Sequence, residues 1–320
     1  MKFVAAHLRA MADTTGFQTD NLEKILRLRE LLTEFHKHSF LRDRLVLKGG
    51  TAINLFYLDL VRLSVDIDLN YIAQVEREKM LAERPDVVRA VDQIATGLGY
   101  RIQNGIDDHA LREWYLGYAN HTGAQDRIQV EINFLMRTCA LPPRTLPAVG
   151  VGDPQPSEFL VLATEELFAG KLKAMIDRRH PRDLYDLFRF AKSGLPHDSD
   201  ILRKLAVLFS STMDRDFRTY KIDRVSEVDA KQVESLLYPL LKANDRPTAA
   251  EMLAATKPLL ESVLDHSREA AYLAAIAEGK YQPELLFPDQ PEIVERIREH
   301  PALMWKADNV AHHLTKLKNA

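Results

Sequence analysis

Two aspartates, Asp66 and Asp68, stand one residue apart in the run Val65-Asp66-Ile67-Asp68-Leu69. In an extended strand alternate side chains share a face, so both carboxylates emerge together while Val65, Ile67 and Leu69 turn to a core. Two such charges repel, and a hard divalent cation that prefers oxygen ligands relieves them. Upstream, the apolar run Leu45-Val46-Leu47 stops at Gly49-Gly50, where the backbone can turn and approach a ligand closely. Thr51 is expected to open a helix whose free N–H groups, with the glycine backbone, make a phosphate site. Strand, glycine turn, helix and acidic strand in this order suit metal-assisted phosphoryl transfer. Neither GxxxxGK[ST] nor GxGxxG is present. The same aspartate spacing recurs at Asp198/Asp200 and Asp214/Asp216, but in polar, turn-like surroundings.

The elements around this unit follow from periodicity. An amphipathic helix is expected over Asp20–His38, and a second over Glu76–Leu98 with a break at Pro85. Alternation in Asp126–Phe134 predicts a strand on which Glu131 shares the polar face with Gln129 and Asn133. Glu131 then either joins Asp66 and Asp68 as a third acidic group or simply faces solvent. The proline- and glycine-rich stretch Leu141–Pro156 is the candidate domain boundary.

Beyond it, a helix is expected over Glu165–Arg179 with Thr164 as N-cap. Its polar stripe would be Glu166, Gly170, Lys173 and Asp177. Lys171 falls instead with Leu167, Phe168, Ala174 and Met175, and a lysine pointed inward needs an anionic partner. Pro181 suits the first turn of the next helix, where Asp183 and Asp186 lie on one face. Asp183 as a helix-start charge and Arg182/Asp186 as a surface pair are the ordinary alternatives. Leu202–Ala320 is largely helical by pattern, including Ala249–Leu264 and Ser267–Gly279.

With 320 residues, 46% hydrophobic and 28% charged, the chain has the composition of a globular protein large enough for two domains. A net charge of −3 does not advertise nucleic-acid binding, so such contact must come from a local patch such as Arg178, Arg179, His180, Arg182 and Arg189. That stretch serves equally as a solvated helix pair. Cys139 is the only cysteine, which fits a reducing, cytoplasmic setting. His7 and Arg9 interrupt any signal-peptide core, and no run approaches the ~18 apolar residues of a membrane span.

The runs KGGTAINLFY, RLSVDIDL (Arg62–Leu69) and EELFAGKLKAMIDRRHPRDLYDL (Glu165–Leu187), with the later PELLFPD and HPALMWK, resemble the AbiEii/AbiGii nucleotidyltransferase toxin family. The resemblance spans most of the chain. It implies an α+β fold: a polymerase-β-like nucleotidyltransferase core with a small mixed sheet over residues 1–155, and a largely helical C-terminal domain over 156–320. It implies Asp66, Asp68, Lys171 and Asp183 as catalytic residues, with Asp66, Asp68 and potentially Glu131 holding Mg²⁺ or Mn²⁺. Lys48, Gly49, Gly50, Thr51, Ser64, Lys171 and Asp186 would bind the nucleotide. The implied reaction moves NMP from an NTP to RNA, with the 3′ end of tRNA as acceptor, and so blocks translation and growth in a toxin–antitoxin and phage-defence setting. A cognate antitoxin is the expected partner. NMP transfer to a protein or small-molecule hydroxyl, or an inactive nucleotide- or partner-binding module, are the alternative readings.

Overall fold

Among the described residues, 5–150 and 158–318 of the computed structural model, seven strands form one mixed sheet. The strands are β1 (Leu45–Lys48), β2 (Asp66–Tyr71), β3 (Arg101–Asp107), β4 (Leu111–Ala119), β5 (Gln125–Asn133), β6 (Arg144–Pro147) and β7 (Glu158–Val161). Their order is β3-β4-β5-β2-β1-β7-β6. β2 lies in the interior of the sheet, antiparallel to β1 and parallel to β5, and β7 runs parallel to β1. The β1–β2–β5 centre buries Leu45, Val46, Leu47, Ile67, Leu69, Val130 and Ile132 completely, while Asp66 and Asp68 stay partly exposed.

Two units can be distinguished. The first comprises Met1–Arg137, Pro143–Leu162 and Glu234–Pro247. It holds the sheet together with helices α1 (Ala5–Thr15), α2 (Thr19–Lys37), α3 (Gly49–Phe56) and α4 (Arg77–Gly97). The second comprises Thr138–Pro142, Ala163–Val233 and Thr248–Ala320. Among its described residues the regular structure is helical, led by α5 (Thr164–Arg178), α6 (Pro181–Ser193), α7 (Ser199–Ser210), Ala249–Leu264 and Pro301–Lys318. The expected α+β class is therefore present. The expected boundary at 155/156 falls on residues 151–157, outside the described residues. Among the described residues no helix is long and apolar enough to cross a membrane.

Several local expectations change. α3 begins at Gly49 rather than Thr51, and Val65 precedes β2 instead of lying in it. α4 runs through Pro85 without a break. Pro85 is exposed, and the helix continues although the missing N–H removes one i→i−4 hydrogen bond. β3 and β4 were not anticipated, although Trp114, Leu116 and Tyr118 alternate as buried residues along β4. Arg144–Pro147, inside the expected linker, pairs with β7 as a strand.

Candidate active site

Lys48 ends β1, and the next residue turns the chain: Gly49 has φ +71°, a left-handed conformation that favours glycine. A Cβ on Gly49 would overlap Asp68 Oδ2 and stand 3.1 Å from Asp68 Cγ, so the second aspartate is seated directly against the turn. Gly50 is equally confined, since a Cβ there would lie 2.5 Å from Arg62 Nη2 and 2.8 Å from Ser64 Oγ. Ser64 itself is buried. Thr51 is fully buried and its hydroxyl donates to the Asp66 carbonyl, tying α3 to the start of β2. Asn54, also fully buried, donates from Nδ2 to the Gly50 carbonyl at 2.8 Å and accepts from the Arg62 N–H at 3.1 Å. One amide side chain thus joins the glycine turn to the segment leading into the acidic strand. Neither Asn54 nor Arg62 was singled out from the sequence; the available signal was a polar residue inside an otherwise apolar helix.

Across the sheet, Lys48 is in register with Asp68, Asp68 with Glu131, and Glu131 with Glu113. In-register partners share a face, so four charged side chains form one row. The neighbouring row carries Asp66, Gln129 and Tyr115. Glu131 therefore lies on the Asp68 face, and its carboxyl is pushed up from its ordinary value by burial, with Asp68 and Glu113 acting in the same direction and Lys48 against it. The Lys48 ammonium lies 3.7 Å from Glu131 Oε1. Glu113, the acid that the sequence reading missed, accepts from Gln129 Nε2 at 2.5 Å and from the Ile106 N–H at 3.3 Å.

Among the described residues, no group of three or more His, Cys, Asp or Glu side chains is gathered as a metal cage. A hard divalent ion at a phosphate does not need one: one or two carboxylates with water and substrate oxygens complete its shell. Asp66 and Asp68, side by side at the head of a buried strand, fit that donor set, and the Lys48 ammonium already stands in the Asp68 row as a positive charge.

The second unit holds an ionic cluster between α5 and α6. The α5–α6 connection is fixed by Arg179 at φ +53°, by His180 Nδ1 accepting from the Arg182 N–H at 3.2 Å, and by Pro181 at the helix start. Phe168 stacks on Phe190 with 3.8 Å between centroids, holding the helices together. Lys171 is buried between Asp183, at 2.8 Å, and Asp186, at 3.1 Å. Arg178 adds a 2.7 Å bond to the other Asp183 oxygen. Burial would raise the Asp183 carboxyl, but the Lys171 and Arg178 charges overcome it and hold the group well below the usual range. The inward Lys171 has its anionic partners, and Lys173 pairs with Asp177 near the surface. Asp186 is fully buried, so it is not the surface group that the sequence pattern suggests. Glu166, expected on the polar stripe, is also buried: its Oε2 accepts from the Leu141 N–H at 3.0 Å, because Thr138–Pro142 packs in this unit. The comparison aspartates serve as caps, Asp198 accepting from the Asp200 and Ile201 N–H groups and Asp216 from Arg218.

A family model described as the nucleotidyl transferase AbiEii toxin of type IV TA systems matches residues 30–293. No curated protein matches. Among solved structures, MenT4, a nucleotidyltransferase toxin from Mycobacterium tuberculosis H37Rv, is similar at 20% identity and a TM-score of 0.56, over 86% of this chain and 99% of its own. JHP933 from Helicobacter pylori is similar at 18% identity and a TM-score of 0.50, over 81% and 99%. These likenesses concern the fold; the family match, covering most of the sequence, concerns kinship. The chain belongs to the AbiEii family of nucleotidyltransferase toxins of type IV toxin–antitoxin systems.

Proposed function

We propose that this toxin transfers the NMP of a nucleoside triphosphate to the 3′ end of tRNA, in a reaction that requires Mg²⁺ or Mn²⁺. The observation that carries the reading is the seating of Asp68, with Asp66 on the same strand face, against the positive-φ turn at Gly49 where α3 begins. Carboxylates for a cation and backbone N–H groups for phosphates thereby share one rigid unit. The acceptor hydroxyl attacks the α-phosphorus and loses its proton to solvent, a new P–O bond forms, and the bond to pyrophosphate breaks. The metal, when bound, supplies Lewis-acid stabilisation of the phosphoryl oxygens. Asp66 and Asp68 hold the cation, and Gly49, Gly50 and the Thr51 backbone receive phosphate, the Thr51 hydroxyl being engaged by Asp66. Lys171, its ammonium held by Asp183 and Asp186, is the further catalytic residue that the family resemblance implies. A tRNA extended at its 3′ end can no longer be aminoacylated, so growth arrest in the cytoplasm follows until the antitoxin intervenes, and phage defence is the setting in which such arrest serves the cell.

The test is to incubate the protein with each α-labelled NTP, Mg²⁺, and total RNA or cell protein. Label in RNA, mapped to tRNA 3′ ends and abolished by chelation and by Asp66→Ala, is the expected result. Label in protein or in small molecules moves the acceptor to another hydroxyl, and an unlabelled set of pools removes the enzymatic reading. Asp66→Ala should unfold like the wild type; a variant that still labels RNA at the wild-type rate overturns the assignment of the acidic strand.

A further inference from the structure

The row Lys48–Asp68–Glu131 crosses three adjacent strands, with Asp68 on the middle one. Neighbouring strands lie ~4.8 Å apart, so the Lys48 and Glu131 backbones are separated by roughly twice that. Their charged ends nevertheless come within 3.7 Å, so the two side chains meet above the strand from which Asp68 projects. Beyond Glu131 the row continues into Glu113, a buried carboxylate held by Gln129 and the Ile106 N–H. One ammonium thus lies against Glu131 in a row that also carries Asp68 and Glu113. Lys48 and Glu131 each keep about a quarter of their side-chain surface exposed, 26% and 25%, so the contact is open to exchange with solvent ions.

We infer that Lys48 is a resident counter-cation of this row, which a divalent metal must displace, and which is released toward the triphosphate when nucleotide arrives. The inference rests on the metal-dependent reading above. A lysine has no acceptor and cannot share a carboxylate oxygen with a divalent ion at close range without cation–cation repulsion. Metal alone therefore competes with Lys48, whereas metal arriving with an NTP does not, because the phosphates offer the ammonium another anion. Metal and nucleotide affinities become coupled through one side chain, and the coupling is reciprocal.

The test is Mn²⁺ binding to the full-length protein, followed by electron paramagnetic resonance, with and without a non-hydrolysable α,β-methylene NTP. Lys48→Gln is expected to bind Mn²⁺ alone at least tenfold more tightly than the wild type, and to lose most of the tightening that the nucleotide analogue brings. Lys48→Arg, which keeps the charge, should behave like the wild type. A second readout uses the wild type only: the rate at which an amine-reactive reagent labels Lys48, read by mass spectrometry, should rise as Mn²⁺ is titrated in. Mn²⁺ binding that Asp66→Ala abolishes, but that Lys48→Gln leaves unchanged and that does not alter Lys48 labelling, overturns the inference and leaves the metal reading standing. If no Mn²⁺ binding sensitive to Asp66→Ala occurs in either protein, both fall.

Discussion

Asp68 fills the space that a side chain on residue 49 would need: a Cβ there would overlap the aspartate carboxylate, 3.1 Å from Asp68 Cγ and 3.2 Å from Asp68 Cβ. The turn and the second carboxylate are thus one structural feature. Gly49→Ala meets both a φ of +71° and this overlap. It should cost about 1–2 kcal/mol of stability from the backbone alone, and nucleotidyl transfer should fall by far more than that loss explains, because Asp68 must move. Gly170→Ala is the control, since nothing lies within 4 Å of a Cβ there and α5 continues through it. That change should stabilise by up to ~1 kcal/mol. Paired thermal melts and transfer rates for the two variants decide the matter; equal activities would show that Asp68 tolerates displacement.

Thr51 separates a hydroxyl's structural duty from a ligand-binding one. Its hydroxyl is buried and donates to the Asp66 carbonyl, so it orients the first aspartate through the backbone. Thr51→Ser keeps the donor and should retain most activity, at a loss of about 1 kcal/mol for the removed methyl group. Thr51→Val keeps the shape and loses the donor. It should cost about 1–3 kcal/mol through the unsatisfied carbonyl and reduce kcat more than it raises KM for the NTP. A KM effect alone would instead place the hydroxyl on the nucleotide.

The donor half of the site was legible because its signals are local: a glycine pair after an apolar run, and a strict alternation at Val65–Leu69. Even the position of Glu131 on the Asp68 face was among the open readings, since alternation fixes the face of a strand but not its neighbour. What alternation cannot supply is pairing, so the Lys48–Asp68–Glu131–Glu113 row emerges only from the order of strands that are distant in sequence. β4 escaped notice because Arg112 and Glu113 are buried on it beside Trp114, which blurs its period. Glu166 misled for a related reason. A helix's own periodicity assigned it to the polar face, while burial came from Thr138–Pro142, a segment with no periodic signature.

Lys171 and Lys173 provide a matched contrast two residues apart. Lys171→Ala leaves Asp183 and Asp186 buried without the ammonium between them. Breaking a buried pair in this way costs about 3–5 kcal/mol. Lys173→Ala removes a partly exposed pair with Asp177 and should change stability by less than ~1 kcal/mol. Chemical denaturation measures both, and transfer rates should fall far more for Lys171→Ala than for Lys173→Ala. Should the two variants match in stability and rate, the inward placement of Lys171 has no consequence.

Asp183 also predicts acid sensitivity. Its folded-state carboxyl is held below the ordinary value of 3.8 by Lys171 and Arg178 against the opposing effect of burial. A depressed carboxylate stabilises fully above its unfolded value, and that contribution disappears as pH falls toward the folded one. Stability of the wild type should therefore decline from about pH 4 downward, and Asp183→Asn, already weaker at neutral pH, should show a shallower decline. Parallel acid limbs for the two proteins would remove Asp183 from the cause.

Glu166 has the opposite sign. Burial pushes its carboxyl up to about 7 from 4.5, against the Leu141 and Ala140 N–H groups and the Arg296 charge, which favour ionisation. The folded state therefore binds this proton more tightly than the unfolded chain does, and stability is lost as pH rises from about 4.5 through 7. Over that interval the loss is on the order of 3 kcal/mol. Glu166→Gln keeps a carbonyl oxygen to accept from the Leu141 N–H and has nothing to ionise. It should match the wild type near pH 4.5 and exceed it in thermal stability at pH 8. Because α5 carries both Glu166 and Lys171, the variant should also hold its activity further into the alkaline range. A wild-type melting temperature that is flat between pH 5 and 8, or a Glu166→Gln variant that follows the wild type through that interval, would show that the buried carboxyl does not control the stability of this helix.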